Sequence, residues 1–145
     1  MRRPLEGVRV LTIEHFGAGP YATQLMSELG AEVIKVEAPS TGGDASRPVG
    51  PFALGENDSQ YFQTFSRSKK SVACELKTPE GRADFERLVR TAEAVVSNLR
   101  GDQPGKLKLT YDDLKGINPA IVCGHLSAYG RGNSREGWPG YDYPM

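Results

Sequence analysis

Apolar residues fall along this chain in five short runs, separated by stretches with helical spacing. "GVRVLTI" (7–13), "AEVIKVE" (31–37), "KSVACEL" (70–76) and "AIVCGHLS" (120–127) are dense in β-branched and other apolar residues, and "EAVVSNL" (93–99) is a shorter version. Runs of this kind suit strands covered on both faces. Between the first two, Ala22, Leu25, Met26 and Leu29 follow the i, i+3, i+4, i+7 spacing of one apolar helix stripe, with Pro20 near its start and Gly30 placed to end it. Thr78 as N-cap and Pro79 in the first turn open a second helix, whose stripe is Phe85, Leu88, Val89 and Ala92. A short third helix begins at Thr110, with Asp113 in capping-box spacing. Strands alternating with helices predict an α/β fold with a mainly parallel, Rossmann-like sheet and flanking helices.

Two regions break this rhythm. Residues 38–60 are rich in Gly, Pro and Ser and too long for an ordinary connection, which marks a binding loop or a mobile segment. Residues 128–145 carry turn chemistry and aromatics but no helix to cover the last strand. The chain therefore reads as one domain, truncated where a doubly wound sheet would continue; 145 residues support one core and hardly two.

Charge narrows the function. Eighteen basic residues balance eighteen acidic ones, so no long-range field favours nucleic acid or an anionic membrane. The start, "MRRPLEGVRV", has neither a signal-peptide pattern nor a spanning run, and the expectation is a soluble cytoplasmic protein. Cys74 and Cys123 lie in strand-like runs without metal-ligand spacing, which predicts two buried thiols and no metal site.

The most pointed motif is the glycine turn after the first run. Gly17, Gly19 and Ala22 fit the G-x-G-x-x-A dinucleotide fingerprint, and Glu37 stands where that fold keeps its ribose-binding acid. That pattern makes an NAD(P)- or FAD-binding oxidoreductase domain one reading. Against it, Glu14, His15 and Phe16 separate the strand from the first glycine, Pro20 removes an N–H that would meet a phosphate, and an acid after "VIKV" is a common way to end a strand in solvent. A turn that only packs helix on strand is the plain alternative.

A wider pattern covers nearly the whole chain. "PLEGVRVLTIEHFGAGPYATQLMSELGAEVIKVEAPSTGGDASR", "YFQTFSRSKKSVACELKTPEG", "NLRGDQPGKLKLTYDDLKGINPAIVCGHLSAYGR" and "PGYDY", in this order and spacing, resemble the N-terminal portion of the class III (CaiB/BaiF type) CoA-transferases. That family includes formyl-CoA transferase, carnitine CoA-transferase and alpha-methylacyl-CoA racemase. The resemblance implies coenzyme A or acyl-CoA as substrate with no permanently bound cofactor, a carboxylic acid as second substrate, and an intertwined dimer. A homo-oligomer, or a second chain completing the fold, is therefore expected. A truncated, non-catalytic CoA-binding or interaction module remains the third reading.

The resemblance assigns CoA contacts to Gly17 and Ala18 in the A-G-P turn, to Lys77, and to Asn98, Leu99 and Arg100; Lys106 stands where relatives often carry arginine. Small side chains suit a thioester passing close to main chain. Fixed cations suit the phosphates of CoA. The plain alternative for Lys77, Arg100 and Lys106 is solvated surface charge. Two departures stand out: Ala38 replaces a basic residue, and Gly17 replaces a larger polar residue of formyl-CoA transferase. Gly43, Asp44 and Arg47 in "GGDASR" also fit the family's loop motif, with a structural role, an Asp turn with an arginine reaching back, as the plain alternative.

In the racemase branch a histidine precedes the aspartate of "PGYDY"; here Tyr141 precedes Asp142, and both are expected to line an acyl pocket as in the transferases. A tyrosine of ordinary pKa, about 10, is a poor base at neutral pH. His125 reads as a packed strand residue and His15 as a neighbour of the site loop. The transfer chemistry implied is attack of an aspartate on the thioester to give a mixed anhydride. The family's nucleophile lies beyond Met145, so no catalytic residue is assigned in this chain and turnover by it alone is not expected.

Overall fold

The computed structural model describes residues 2–141. In chain order the elements are β1 (Arg9–Ile13), α1 (Ala18–Glu28), β2 (Glu32–Glu37), a 3₁₀ turn (Pro39–Thr41), a small hairpin of β3 (Ala53–Gly55) and β4 (Asp58–Ser59), α2 (Gln60–Ser66), β5 (Lys70–Ala73), α3 (Pro79–Val89), β6 (Ala94–Ser97), the one-turn helices α4 (Gln103–Lys106) and α5 (Tyr111–Leu114), and β7 (Val122–His125). All five apolar runs form one sheet, in the order β5-β2-β1-β6-β7. Every pairing in it is parallel.

The alternation of side chains along each strand divides two cores. Leu11, Ile13, Ile34, Val36 and Val95 face α3 and the segment 107–121, packing on Phe85, Val89, Leu109, Leu114 and Ile121. Val10, Val33 and Val96 face the other way, with Ala31, and Met26 of α1 packs against them. Helix α3 forms as its cap and stripe predict: Thr78 Oγ1 accepts from Gly81 N at 3.1 Å, and Phe85 and Val89 are fully buried. The Asp113 carboxylate accepts from the Thr110 N–H at 3.1 Å and opens α5. Gly30, at φ +108°, ends α1 in a conformation that a side chain disfavours.

Two expectations are corrected. Helix α1 buries only part of its predicted apolar stripe: Met26 packs on the sheet, but Leu25 and Leu29 are exposed, while Gly19, Pro20, Thr23, Gln24 and Ser27 face inward. Small and polar residues are needed there because the sheet beneath carries charge. Glu37 does not end its strand in solvent but is buried and paired. Residues 38–60 contain the hairpin and a hydrogen-bonded turn at 44–47, and the following "QYFQTFS" forms α2, capped by Ser59. Cys74 is buried and Cys123 half-buried, both free, and burial raises both thiols, which keeps them protonated. No helix among the described residues is long and apolar enough to cross a membrane.

Candidate functional site

The chain runs outward from β1 through β2 to β5, then returns to β6 and β7 on the opposite side. The winding thus reverses between β1 and β6, and open α/β sheets bind ligands in the crevice at the carboxyl ends of such strands. Two loops meet over this point. His15 N donates to Asn98 Oδ1 at 2.9 Å, and Asn98 Nδ2 donates back to His15 O at 2.7 Å. Gly19 permits the approach, since a Cβ there would stand 2.9 Å from Asn98 Cβ and 3.1 Å from Glu14 Cβ.

Three adjoining cavities follow the strand ends. One, of about 480 Å³, is lined by Phe16, Gly17, Ala18, Asn98, Arg100 and the tail residues Trp138 and Tyr141. It shares His15, Leu99 and Gln103 with a second of about 200 Å³, whose walls include Ile13, Val36, Cys74, Leu76 and Leu107. The second shares Leu76, Lys77 and Leu107 with a third of about 400 Å³, where Lys77 meets Arg82, Lys106 and Lys108. The result is one groove, apolar along its middle and basic at one end.

The floor of the groove is electrostatically built. Lys69 Nζ reaches Glu14 Oε1 at 2.7 Å and also donates to Thr23 Oγ1 and Pro20 O. Lys35 Nζ lies 2.6 Å from Asp44 Oδ2 and donates to Glu14 O. All four charged side chains are essentially inaccessible. Burial lowers the Lys69 pKa, with Glu14 opposing. Burial works against the charge of Asp44, but the His15 ring beside it, Lys35 and the Ser46 amide outweigh it and hold the carboxyl well below the ordinary range. Glu37 shows the same balance: burial opposes ionisation, while Arg47, Ser71 and the Asp44 N–H overcome it. Arg47 binds both Glu37 oxygens, at 2.8 and 2.7 Å, and stacks on Phe62 at 4.1 Å. The Asp turn with an arginine reaching back is therefore present, and Glu37 is committed to it.

Of the residues singled out from the sequence, Gly17, Ala18, Asn98, Leu99, Arg100 and Tyr141 share the largest cavity. Lys77 and Lys106 line its far neighbour. Asp142 lies outside the described residues. Gly17 has φ −108° and would meet only the Tyr61 hydroxyl, at 3.7 Å, so neither backbone nor packing demands glycine; what its missing side chain leaves is space. Arg100 donates to Gly137 O, and Lys106 pairs with Asp102 at 2.6 Å. His125 Nδ1 meets Ser97 Oγ at 2.8 Å, and burial, with Arg131, lowers its pKa; it is a packed strand residue. Glu14, Lys35, Lys69 and Gln103 escaped the sequence reading. The one signal for them is a charged residue inside an otherwise apolar run, as Lys35 is in "AEVIKVE".

Strand order and groove together define an open, doubly wound α/β domain with a groove at the carboxyl ends of its strands. The model of CoA-transferase family III matches residues 5–145. The succinate–glutarate CoA-transferase of Agrobacterium fabrum is 41% identical over 97% of this chain and 36% of its own length. The human succinyl-CoA:glutarate CoA-transferase is 38% identical over 97% of this chain and 32% of its own length. A solved structure of Rv3272 from Mycobacterium tuberculosis superposes with a TM-score of 0.84 at 40% identity, over 97% of this chain and 38% of that one. A CAIB/BAIF family protein from Brucella suis gives 0.86 at 35% identity, over 98% and 38%. This chain belongs to CoA-transferase family III. It spans about a third of the length of the curated relatives it matches.

Proposed function

We propose that this chain carries the CoA-binding face of an enzyme that moves CoA between an acyl-CoA thioester and a carboxylic acid. The observation that carries the reading is the continuous groove at the switch point, basic at the Lys77–Lys106 end and open over Gly17 at the other. In it the phosphates of CoA meet Lys77 and Lys106, with Lys108 beside them, through charge-assisted bonds. The pantetheine arm follows the apolar middle past Leu99, and Asn98 and Arg100 hold the thioester end. The acyl group occupies the space over Gly17 and Ala18, with Tyr141 at the mouth and Asp142 beyond it.

The chemistry is covalent catalysis by an aspartate. Its carboxylate attacks the thioester carbon, the C–S bond breaks, CoA departs as thiolate and a mixed anhydride remains. The incoming carboxylate attacks the aspartyl carbonyl of that anhydride and the donor acid leaves as its carboxylate; CoA thiolate then attacks the acceptor's carbonyl in the second anhydride, giving the new thioester and restoring the aspartate. Glu14, Glu37 and Asp44, the buried carboxylates at the groove, are each tied to a lysine or arginine and unavailable for attack. The resemblance to the family places the nucleophile in a segment after "PGYD", and the reading includes assembly with a second copy or a second polypeptide that supplies the rest of the family fold.

Calorimetric titration tests this directly. The 145-residue chain is expected to bind CoA and not NADH, because the acid a dinucleotide ribose would need is already bound to Arg47. Replacing both Lys77 and Lys106 by alanine is expected to weaken CoA about tenfold and to flatten its salt dependence. Binding of NADH instead of CoA, or an acyl adduct on any residue of the purified chain by mass spectrometry, would overturn the proposal.

A further inference from the structure

We infer that His15 is a pre-set hydrogen-bond donor to a carbonyl oxygen of the bound acyl-CoA, a role that rests on the CoA reading above. His15 is one of three residues shared by the largest cavity and the apolar middle of the groove, so it lies at the junction a ligand spanning both would pass. Both of its backbone polar groups are held by Asn98. The next residue, Phe16, has φ +61°, a left-handed conformation that costs a non-glycine residue about 1 kcal/mol and persists only when its surroundings impose it. The loop is thus fixed before any ligand arrives.

The ring is fixed as well. The Ala45 N–H donates to His15 Nδ1 at 3.2 Å, which requires a lone pair on that nitrogen. Asp44 Oδ1 lies 3.5 Å from the same nitrogen, longer than the 3.2 Å bond from Ala45, and accepts instead from Ser46 N, Ser46 Oγ and Phe16 N. The neutral imidazole therefore carries its proton on Nε2, the opposite edge of the ring. No described residue accepts from Nε2, and the side chain is 37% exposed. A fixed N–H donor with a free proton, on the wall of a groove for a thioester, matches a carbonyl oxygen. Such preorganised donors act most strongly where charge develops on that oxygen. The acceptor is either the thioester carbonyl or an amide carbonyl of the pantetheine arm.

Two substitutions separate this role from loop support. His15→Asn keeps a group that accepts from Ala45 but offers no donor at the Nε2 position; His15→Gln places an amide N–H near Nε2. Binding of acetyl-CoA to the full chain is expected to fall about tenfold in His15→Asn and to stay within about threefold of wild type in His15→Gln. Loss with acetyl-CoA but not with free CoA assigns the thioester carbonyl; equal loss with both assigns the pantetheine. Nitrogen-15 NMR of the imidazole, in the chain without ligand at pH 7.5, is expected to show Nε2 protonated and Nδ1 bare. The inference is overturned by a proton on Nδ1, by unchanged affinity in His15→Asn, or by rescue with Asn rather than Gln. If wild type binds neither CoA nor acetyl-CoA, the CoA reading fails first and this one falls with it; if wild type binds both and His15→Asn does too, His15 alone is wrongly assigned.

Discussion

A carboxylate buried under a parallel sheet is an energetic liability unless a cation is fixed beside it, and Glu37 shows how one residue can mislead a motif and still explain a loop. Its position after Gly17 mimics a ribose-binding acid, yet Arg47, Ser71 and the Asp44 amide take its oxygens. Removing Arg47 leaves a charge with no cation beside it, held only by Ser71 and the Asp44 amide, in a site that is 7% exposed, which costs about 3 kcal/mol. Arg47→Ala is expected to lose that much in urea unfolding at pH 7. The pH dependence has a definite sign. Glu37 and Asp44 are both depressed in the folded chain from ordinary values of 4.5 and 3.8, so their contribution is complete above those values and disappears as pH falls through the folded ones. Wild type is expected to lose stability on acidification below about pH 4.5, and Arg47→Ala to lose less over the same range, because its Glu37 is no longer held ionised.

Among elements, α1 has the least ordinary packing. Its inward face is Gly19, Thr23, Gln24 and Ser27 rather than its leucines, because Glu14 and Lys69 occupy the space beneath and need hydroxyl and carbonyl partners. The helix must also start close to Asn98. Gly19→Ala keeps an allowed backbone and improves helix propensity, so any loss reports collision alone. The new methyl would press on Asn98 and Glu14, an overpacking that costs about 1–3 kcal/mol. The expected outcome is a lower urea midpoint and weaker CoA binding together, since Asn98 also holds His15. A stabilised Gly19→Ala chain would show that α1 can retreat without disturbing the groove.

At the scale of the whole molecule, the outward stripe of α1 becomes an association problem. Tyr21 at 53% exposure, Leu25 at 42% and Leu29 at 47% stand on one face, and Trp138 and Tyr141 are exposed at the groove mouth. Apolar surface covered by a partner contributes about 25 cal/mol per Å². Sedimentation at micromolar concentration is expected to show self-association. Leu25→Glu with Leu29→Glu is expected to reduce it while changing unfolding free energy by no more than about 0.5 kcal/mol, as surface substitutions do. A wild-type chain that sediments as a monomer would favour an independent binding module.

Sequence alone determined the parts of this protein that local rules govern. Five apolar runs specified five parallel strands; Thr78, Pro79, Gly30 and the Thr110–Asp113 pair set helix boundaries, because a cap is satisfied by residues a few positions away. Separated motifs also carried the family. Tertiary structure decided what depends on approach between distant segments: that Glu37 binds Arg47 rather than water, that α1 turns its leucines outward, and that Lys35 and Lys69 sit among Glu14 and Asp44. It also brought Asn98 to His15, 83 positions earlier, and placed Ala45 on the imidazole. No periodicity encodes these contacts, since a buried charge is tolerated or excluded according to a partner that only the folded sheet puts within reach.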